Sequence, residues 1–218
     1  MTPEKRINIG DFKHFHFLGI GGVGVSAVAR HVLHAGVIVS GSDVRESCLT
    51  MELRQAGATV YIGHHESNLA GADIVVVSTA IPETNQELLA ARKAGLPVVH
   101  RSMVLDALMR QRRSIGVTGT NGKGSVSAMT TWLLECAGRT PAFAIGARLL
   151  NFGTNSRPVD SDTIVCELDE SDGSFTNTSP DVLVINNLEA DHLNYYRNLE
   201  GLLSLFSGYL SGDRKSVV

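Results

Sequence analysis

Twice along the chain a short apolar run ends in a glycine-rich turn that opens a helical pattern: HFHFLGIGGVGVSAVAR at residues 14–30 and SIGVTGTNGKGSVSAM at residues 114–129. A strand that passes through such a turn directly into a helix begins a strand–helix–strand crossover. Crossovers build parallel sheets covered by helices on both faces. The rest of the sequence keeps this rhythm. Strands are expected at 14–20, 37–40, 59–62, 73–79 and 97–100, and helices at 23–35, 50–56, 85–94 and 102–109. The run RQRR (Arg110–Arg113) reads as a solvated linker, after which the pattern restarts. Strands follow at 114–117, 143–145, 163–167 and 181–186, with a helix at 124–137 closed by Gly138 and an amphipathic helix at 199–210.

The expected fold class is therefore α/β: a Rossmann-like parallel-sheet domain at 1–110, then a partial P-loop-type α/β ATPase domain at 111–218. The second domain has about four strands before RKSVV, which reads as the start of another. Residues 148–162 read as a long polar loop, mobile or ligand-binding.

Hydrophobic residues make up 43% of the chain and charged residues 19%, a balance that can bury a core. The net charge of −3 and the lack of a basic stripe argue against a nucleic-acid partner. The N-terminal stretch MTPEKRINIGDF has no apolar signal segment, and no apolar run reaches membrane-span length. A cytoplasmic protein without membrane insertion is expected. Cys48, Cys136 and Cys166 are far apart and form no CxxC pair, so they read as buried thiols rather than a disulfide or zinc framework.

Gly19-Ile20-Gly21-Gly22-Val23-Gly24 fits GxGxxG between a strand and a helix. Its backbone can approach a diphosphate at a helix N-terminus. Asp43 ends the second strand, where a carboxylate can accept hydrogen bonds from a ribose. NAD is the default reading of the motif alone, but a UDP-sugar satisfies the same physics, and no residue set nearby suggests hydride chemistry. His64 and His65 follow a strand end on the ligand side; the bland reading of each is an exposed loop histidine.

The second loop misses the strict P-loop spacing, since only Thr120 and Asn121 separate Gly119 from Gly122-Lys123. The physical parts remain: backbone N–H groups, a lysine within reach of the β- and γ-phosphates, and a helix that starts at once. Gly124 stands where a hydroxyl residue is expected, with Ser125 one place later. The alternative is a glycine turn with a solvated lysine. Beyond it, Glu167-Leu168-Asp169-Glu170-Ser171-Asp172 closes an apolar strand, with Glu167 and Asp169 on one face. Glu189, Asp191 and His192 gather after the next strand. Acids at strand ends beside a phosphate loop suit Mg²⁺, which takes one or two carboxylates plus phosphates and water. An acidic surface loop is the alternative.

Taken in order, GIGGVGV, SGSD, GHH, STAI, ELDESDGSF and NLEADH resemble the motifs of the Mur ligase family, ATP-dependent amide-forming enzymes of peptidoglycan assembly. The similarity runs over nearly all 218 residues. It implies that Gly19, Gly21, Gly22 and Gly24 hold the diphosphate of a UDP-sugar, with Asp43, His64 and Ser78 near that ligand. It implies that Gly119, Thr120, Asn121, Gly122, Lys123, Gly124 and Ser125 form the ATP loop, with Lys123, Glu167 and His192 catalytic. Glu167 and His192, with Ser125, would hold Mg²⁺. The substrates implied are UDP-N-acetylmuramate and L-alanine, with ATP and Mg²⁺ as cofactors; a homodimer is left open.

The resemblance has departures. The family carries Thr after the loop lysine, whereas GTNGKGS is similar to folylpolyglutamate synthase. No lysine lies between His192 and Lys215 to match the modified lysine of some members. Full-length ligases are about twice as long. Other readings stay open: a UDP-sugar-binding module without turnover, a ligase adding a peptide, and an NAD-binding Rossmann protein.

Overall fold

The structure, a computed structural model, describes residues 6–212 and 216–217. The chain divides into two compact units: one runs to Leu108 and includes Ser156–Pro158, and the other comprises Met109–Asn155 and Val159–Val218.

The first unit is a five-stranded parallel sheet. Its strands are β1 (His14–Leu18), β2 (Ile38–Asp43), β3 (Thr59–Ile62), β4 (Ile74–Val77) and β5 (Val98–His100), in the order β3-β2-β1-β4-β5. Helices α1 (Val23–His34), α2 (Cys48–Gln55), α3 (Gln86–Lys93) and α4 (Arg101–Met109) make the crossovers. Phe15, Phe17, Leu18, Ile74, Val75 and Val76 are fully buried, as a sheet covered on both faces requires. Local chemistry sets the helix starts. Ser47 and Thr50 form a reciprocal capping box on α2, and the Asn85 side chain accepts from Leu88 N–H at 3.1 Å on α3. The strand order reverses across β1: β2 lies on one side and β4 on the other, so the ligand crevice of such a sheet lies at the carboxyl ends of β1 and β4.

The second unit is a six-stranded mixed sheet. Its strands are β6 (Arg113–Thr118), β7 (Ala142–Leu149), β8 (Thr154–Arg157), β9 (Thr163–Glu167), β10 (Val182–Ile185) and β11 (Ser216–Val217), in the order β11-β10-β6-β9-β7-β8. Helix α5 (Lys123–Cys136) follows β6, and α6 (Leu193–Tyr196) and α7 (Leu199–Leu210) follow β10. Phe175 stacks on Phe206 at 4.6 Å and meets Tyr209 edge-on at 4.8 Å, which seats α7. Here too the order reverses across one strand, β6, with β9 on one side and β10 on the other.

Four expectations are corrected. Residues 148–162 are not one long loop: β7 continues to Leu149 and turns into β8, a hairpin with Asn155 and Ser156 buried. Beyond the four expected strands the second unit's sheet has β8, which the sequence reading missed, and β11, which falls in RKSVV where a strand start is expected. Arg113 is no linker residue, since it opens β6 in register with Thr163. Of the three thiols only Cys166 is buried, and burial pushes it up to about 12; Cys48 and Cys136, at helix ends, are exposed. Among the described residues no helix is long and apolar enough to cross a membrane.

Candidate active site

In the first unit β1 ends at Leu18, and Gly19–Gly22 make the turn into α1. Gly22 N–H donates to Gly19 O at 3.0 Å, and Ile20 N–H to Ser42 O at 3.0 Å. Gly21 N–H donates to Asp43 Oδ2 at 2.9 Å. Asp43 thus braces the glycine turn with one carboxylate oxygen, while Oδ1 faces Arg45 N–H at 3.3 Å. Gly24 is the second residue of α1, and the Arg101 guanidinium packs against it. That cation beside a glycine turn was not singled out from the sequence, because it arrives from α4, 77 residues away. Ser78 follows β4, which pairs parallel with β1, so it stands at the same carboxyl edge as the glycine turn.

His64 follows β3 at the same carboxyl edge. Its Nδ1 lies 2.9 Å from Ser42 Oγ and 3.0 Å from Glu87 Oε2. Glu87 is fully buried on α3. It also accepts from Ser42 Oγ, from Asn68 Nδ2 at 2.5 Å and from His65 N–H at 3.3 Å. Burial alone raises a carboxyl pKa; here the His16 ring, 3.8 Å from Oε1, and the hydrogen bonds from Ser42, His64 and Asn68 outweigh it and bring Glu87 down to about 2.

In the second unit Gly119–Gly122 join β6 to α5. The loop is pinned to the chain after β10. Thr120 N–H donates to Asn187 O at 3.0 Å, and Asn121 N–H to Asn187 Oδ1 at 2.8 Å. Asn121 O accepts from Asn186 Nδ2 at 2.7 Å and Asn187 Nδ2 at 2.9 Å, and Thr120 Oγ1 accepts from Glu189 N–H at 2.9 Å. Gly119 has φ +130°, and a Cβ there would stand 2.8 Å from Asn187 O. Lys123, Gly124 and Ser125 open α5, so their N–H groups have no intrahelical carbonyl to bond.

The Lys123 ammonium is drawn back on the loop. Nζ donates to Gly119 O at 2.9 Å, Thr120 O at 3.3 Å and Glu170 Oε1 at 2.9 Å. Glu170 is 1% exposed. Burial pushes its carboxyl above the usual range, against the pull of Lys123. His192 Nε2 lies 3.8 Å from Glu170 Oε1 and 3.9 Å from Asp191 Oδ2. Lys123, Glu170 and His192 therefore meet, and Glu170 is the member that pattern reading passed over. Alternation placed Glu167 and Asp169 together, but β9 ends at Glu167 and the chain turns, carrying Glu170 inward.

Glu167 stands apart from that trio, with its Oε2 accepting from Gly146 N–H at 3.0 Å. A Cβ at Gly124 would come within 3.3 Å of the same oxygen, so the glycine in place of a hydroxyl residue lets the carboxylate close on the first turn of α5. Gly122, Gly124 and Ser125 also line a cavity of about 610 Å³ whose far wall is Met129, Trp132, Leu150 and Phe152. No three His, Cys, Asp or Glu side chains cluster as a self-sufficient metal site among the described residues. Glu167 beside Gly124 at the start of α5 nonetheless fits Mg²⁺, which draws most of its ligands from phosphate and water.

Residues 14–113 match the Mur ligase family, catalytic domain, and residues 117–208 match the Mur ligase middle domain. A UDP-N-acetylmuramate–L-alanine ligase of Pelotomaculum thermopropionicum is 45% identical over 91% of this chain and 43% of its own length. That of Thermobifida fusca is 42% identical over the whole chain and 46% of its own length. The crystal structure of UDP-N-acetylmuramate-alanine ligase from Thermotoga maritima superposes with a TM-score of 0.85 at 33% identity, covering 94% of this chain and 48% of that one. The UDP-N-acetylmuramate:L-alanyl-gamma-D-glutamyl-meso-diaminopimelate ligase of Neisseria meningitides gives 0.83 at 31% identity, covering 91% and 67%. The chain spans under half the length of these curated relatives. With both units matched in order, the chain belongs to the Mur ligase family.

Proposed function

We propose that this chain carries the two nucleotide sites of an ATP-dependent ligase that joins L-alanine to the carboxylate of UDP-N-acetylmuramate. The first unit takes the UDP-sugar at the Gly19–Gly24 turn, and the second takes ATP at Gly119–Ser125. The observation that carries the reading is Lys123 at the head of α5, flanked by Glu170 and His192 on one side and Glu167 at the end of β9. The sugar's carboxylate attacks the γ-phosphorus, ADP leaves, and an acyl phosphate forms. The amine of L-alanine then attacks the acyl carbon, phosphate leaves, and the amine's extra proton passes to solvent. Lys123 leaves Glu170 for the transferring phosphoryl group and offsets its charge. The N–H groups of Lys123, Gly124 and Ser125 orient the phosphates. Glu167, with Ser125, would hold a Mg²⁺ ion, which neutralises phosphate charge when bound. His192 is the candidate for a second ion.

The reading is tested by calorimetric titration of the full chain with UDP-N-acetylmuramate and with NAD. UDP-N-acetylmuramate is expected to bind and to resist displacement by NAD. Tighter binding of NAD would return the first loop to its default dinucleotide reading.

A further inference from the structure

A line of polar side chains runs through the first unit from one edge of its sheet to the other, and the proposed chemistry uses none of its inner members. His14 opens β1 and is half-buried, and a Cβ at the exposed Gly71 would stand 3.5 Å from its Nδ1. His14 Nε2 lies 2.7 Å from Ser40 Oγ on β2. Ser40 Oγ lies in turn 2.8 Å from Nδ1 of His16, which is fully buried. His16 Nε2 has no hydrogen-bond partner among the described residues and faces Glu87 Oε1 at 3.8 Å. Glu87, equally buried, meets Ser42 and His64 at the carboxyl edge. We propose that His14, Ser40 and His16 form a proton relay: a proton taken from solvent at His14 is delivered to His16, which becomes an imidazolium paired with the Glu87 carboxylate.

The resting protons follow from counting donors. Glu87, held down at about 2, is ionised at neutral pH and can only accept. A bare His16 Nε2 would turn its lone pair on that charge, so Nε2 carries the ring proton and Nδ1 is left as an acceptor. Ser40 then donates its one proton to His16 Nδ1, and its oxygen accepts from His14 Nε2–H. When a proton joins His14 Nδ1, the Nε2 proton passes to Ser40 Oγ and the Ser40 proton passes to His16 Nδ1. His14 ends neutral with its proton on Nδ1, and the positive charge ends on His16. Burying an imidazolium alone is costly, and the opposite charge beside it offsets that cost. The other ionisable groups around the line are Tyr61 on β3, with its ring 6.5 Å from that of His16, and His64 at the other oxygen of Glu87. At the entrance stand Lys13 and Asp73, whose carboxylate accepts from the N–H groups of Lys13 and His14 at 2.8 and 3.0 Å. The ion pair forms on the carboxylate that also holds Ser42, His64 and Asn68, so a proton entering at the start of β1 reaches the anchor of the carboxyl edge.

The test needs no ligand. ¹⁵N-resolved imidazole spectra of the wild-type chain are followed from about pH 8 to about pH 5, the range in which histidine changes charge. At one shared midpoint His16 is expected to gain a proton on Nδ1 while His14 trades its Nε2 proton for one on Nδ1. The side-chain amide of Asn68, which shares Oε1 with His16, is expected to shift with them. A His14 that becomes an imidazolium while His16 keeps a single proton would overturn the relay. Ser40→Ala removes the middle carrier, and there His16 is expected to lose its response while His14 takes up its proton alone. A doubly protonated His16 in that variant would mean that the proton arrives by another route, and the relay falls. Glu87→Gln keeps the shape and removes the charge, so His16 is expected to stay singly protonated; an imidazolium there would overturn the ion pair. If Ser40→Ala does not fold, His14→Gln at the half-buried entrance replaces it with the same two outcomes, and the wild-type spectra decide in any case.

Discussion

Two buried glutamates illustrate how neighbours decide what a carboxyl does. Glu170 has one strong donor, Lys123, and burial prevails, so its pKa rises. Glu87 has several side-chain donors, and they prevail, bringing it to about 2. Because the folded pKa of Glu87 lies below its ordinary value of 4.5, the unfolded chain takes up the proton first. The stability Glu87 contributes is therefore complete above pH about 4.5 and is lost as pH falls towards about 2, a change on the order of 3 kcal/mol. Urea unfolding of wild type and Glu87→Gln across that window should give curves that converge as pH falls. Parallel acid slopes in the two proteins would mean that folding does not lower the pKa of Glu87.

At the scale of elements, the second glycine loop is held by the chain after β10 rather than by itself. Asn186, Asn187 and Glu189 supply the bracing that fixes Thr120 and Asn121. Gly119→Ala should fail there twice, since φ is +130° and the new Cβ meets Asn187 O at 2.8 Å. We expect a loss of about 1–3 kcal/mol in stability and at least a tenfold loss in ATP affinity, read by denaturant unfolding and calorimetry. Retained ATP affinity would mean that the loop's shape is not what binds. The strand–turn–helix units were legible in the sequence because period, glycine and cap signals agree locally: β9 at Thr163–Glu167 and α7 at Leu199–Leu210 fall where the pattern puts them. What stayed hidden depends on distant partners. β8 reads as polar TNSR, yet it sits in the sheet because β7 offers it an edge. Glu87 and Arg101 carry no local motif, and their surroundings come from other elements of the sheet edge.

For the whole molecule, both units place a glycine turn after a strand across which the sheet order reverses, β1 in one and β6 in the other. They differ in what stands beside the turn. The first has Asp43 inside it and Arg101 against the helix start, with no lysine in the loop. The second is followed at once by Lys123, with Glu167, Glu170 and His192 around it, which on the proposed reading would move a phosphoryl group rather than grip one. The central claim is that these are two independent phosphate sites for two different ligands. Lys123→Ala, titrated separately with ATP in the presence of Mg²⁺ and with UDP-N-acetylmuramate, tests it most directly. The account predicts that ATP binding disappears while the affinity for UDP-N-acetylmuramate stays within about twofold of wild type. An equal fall in both affinities, or ATP binding that survives the loss of Lys123, would contradict it.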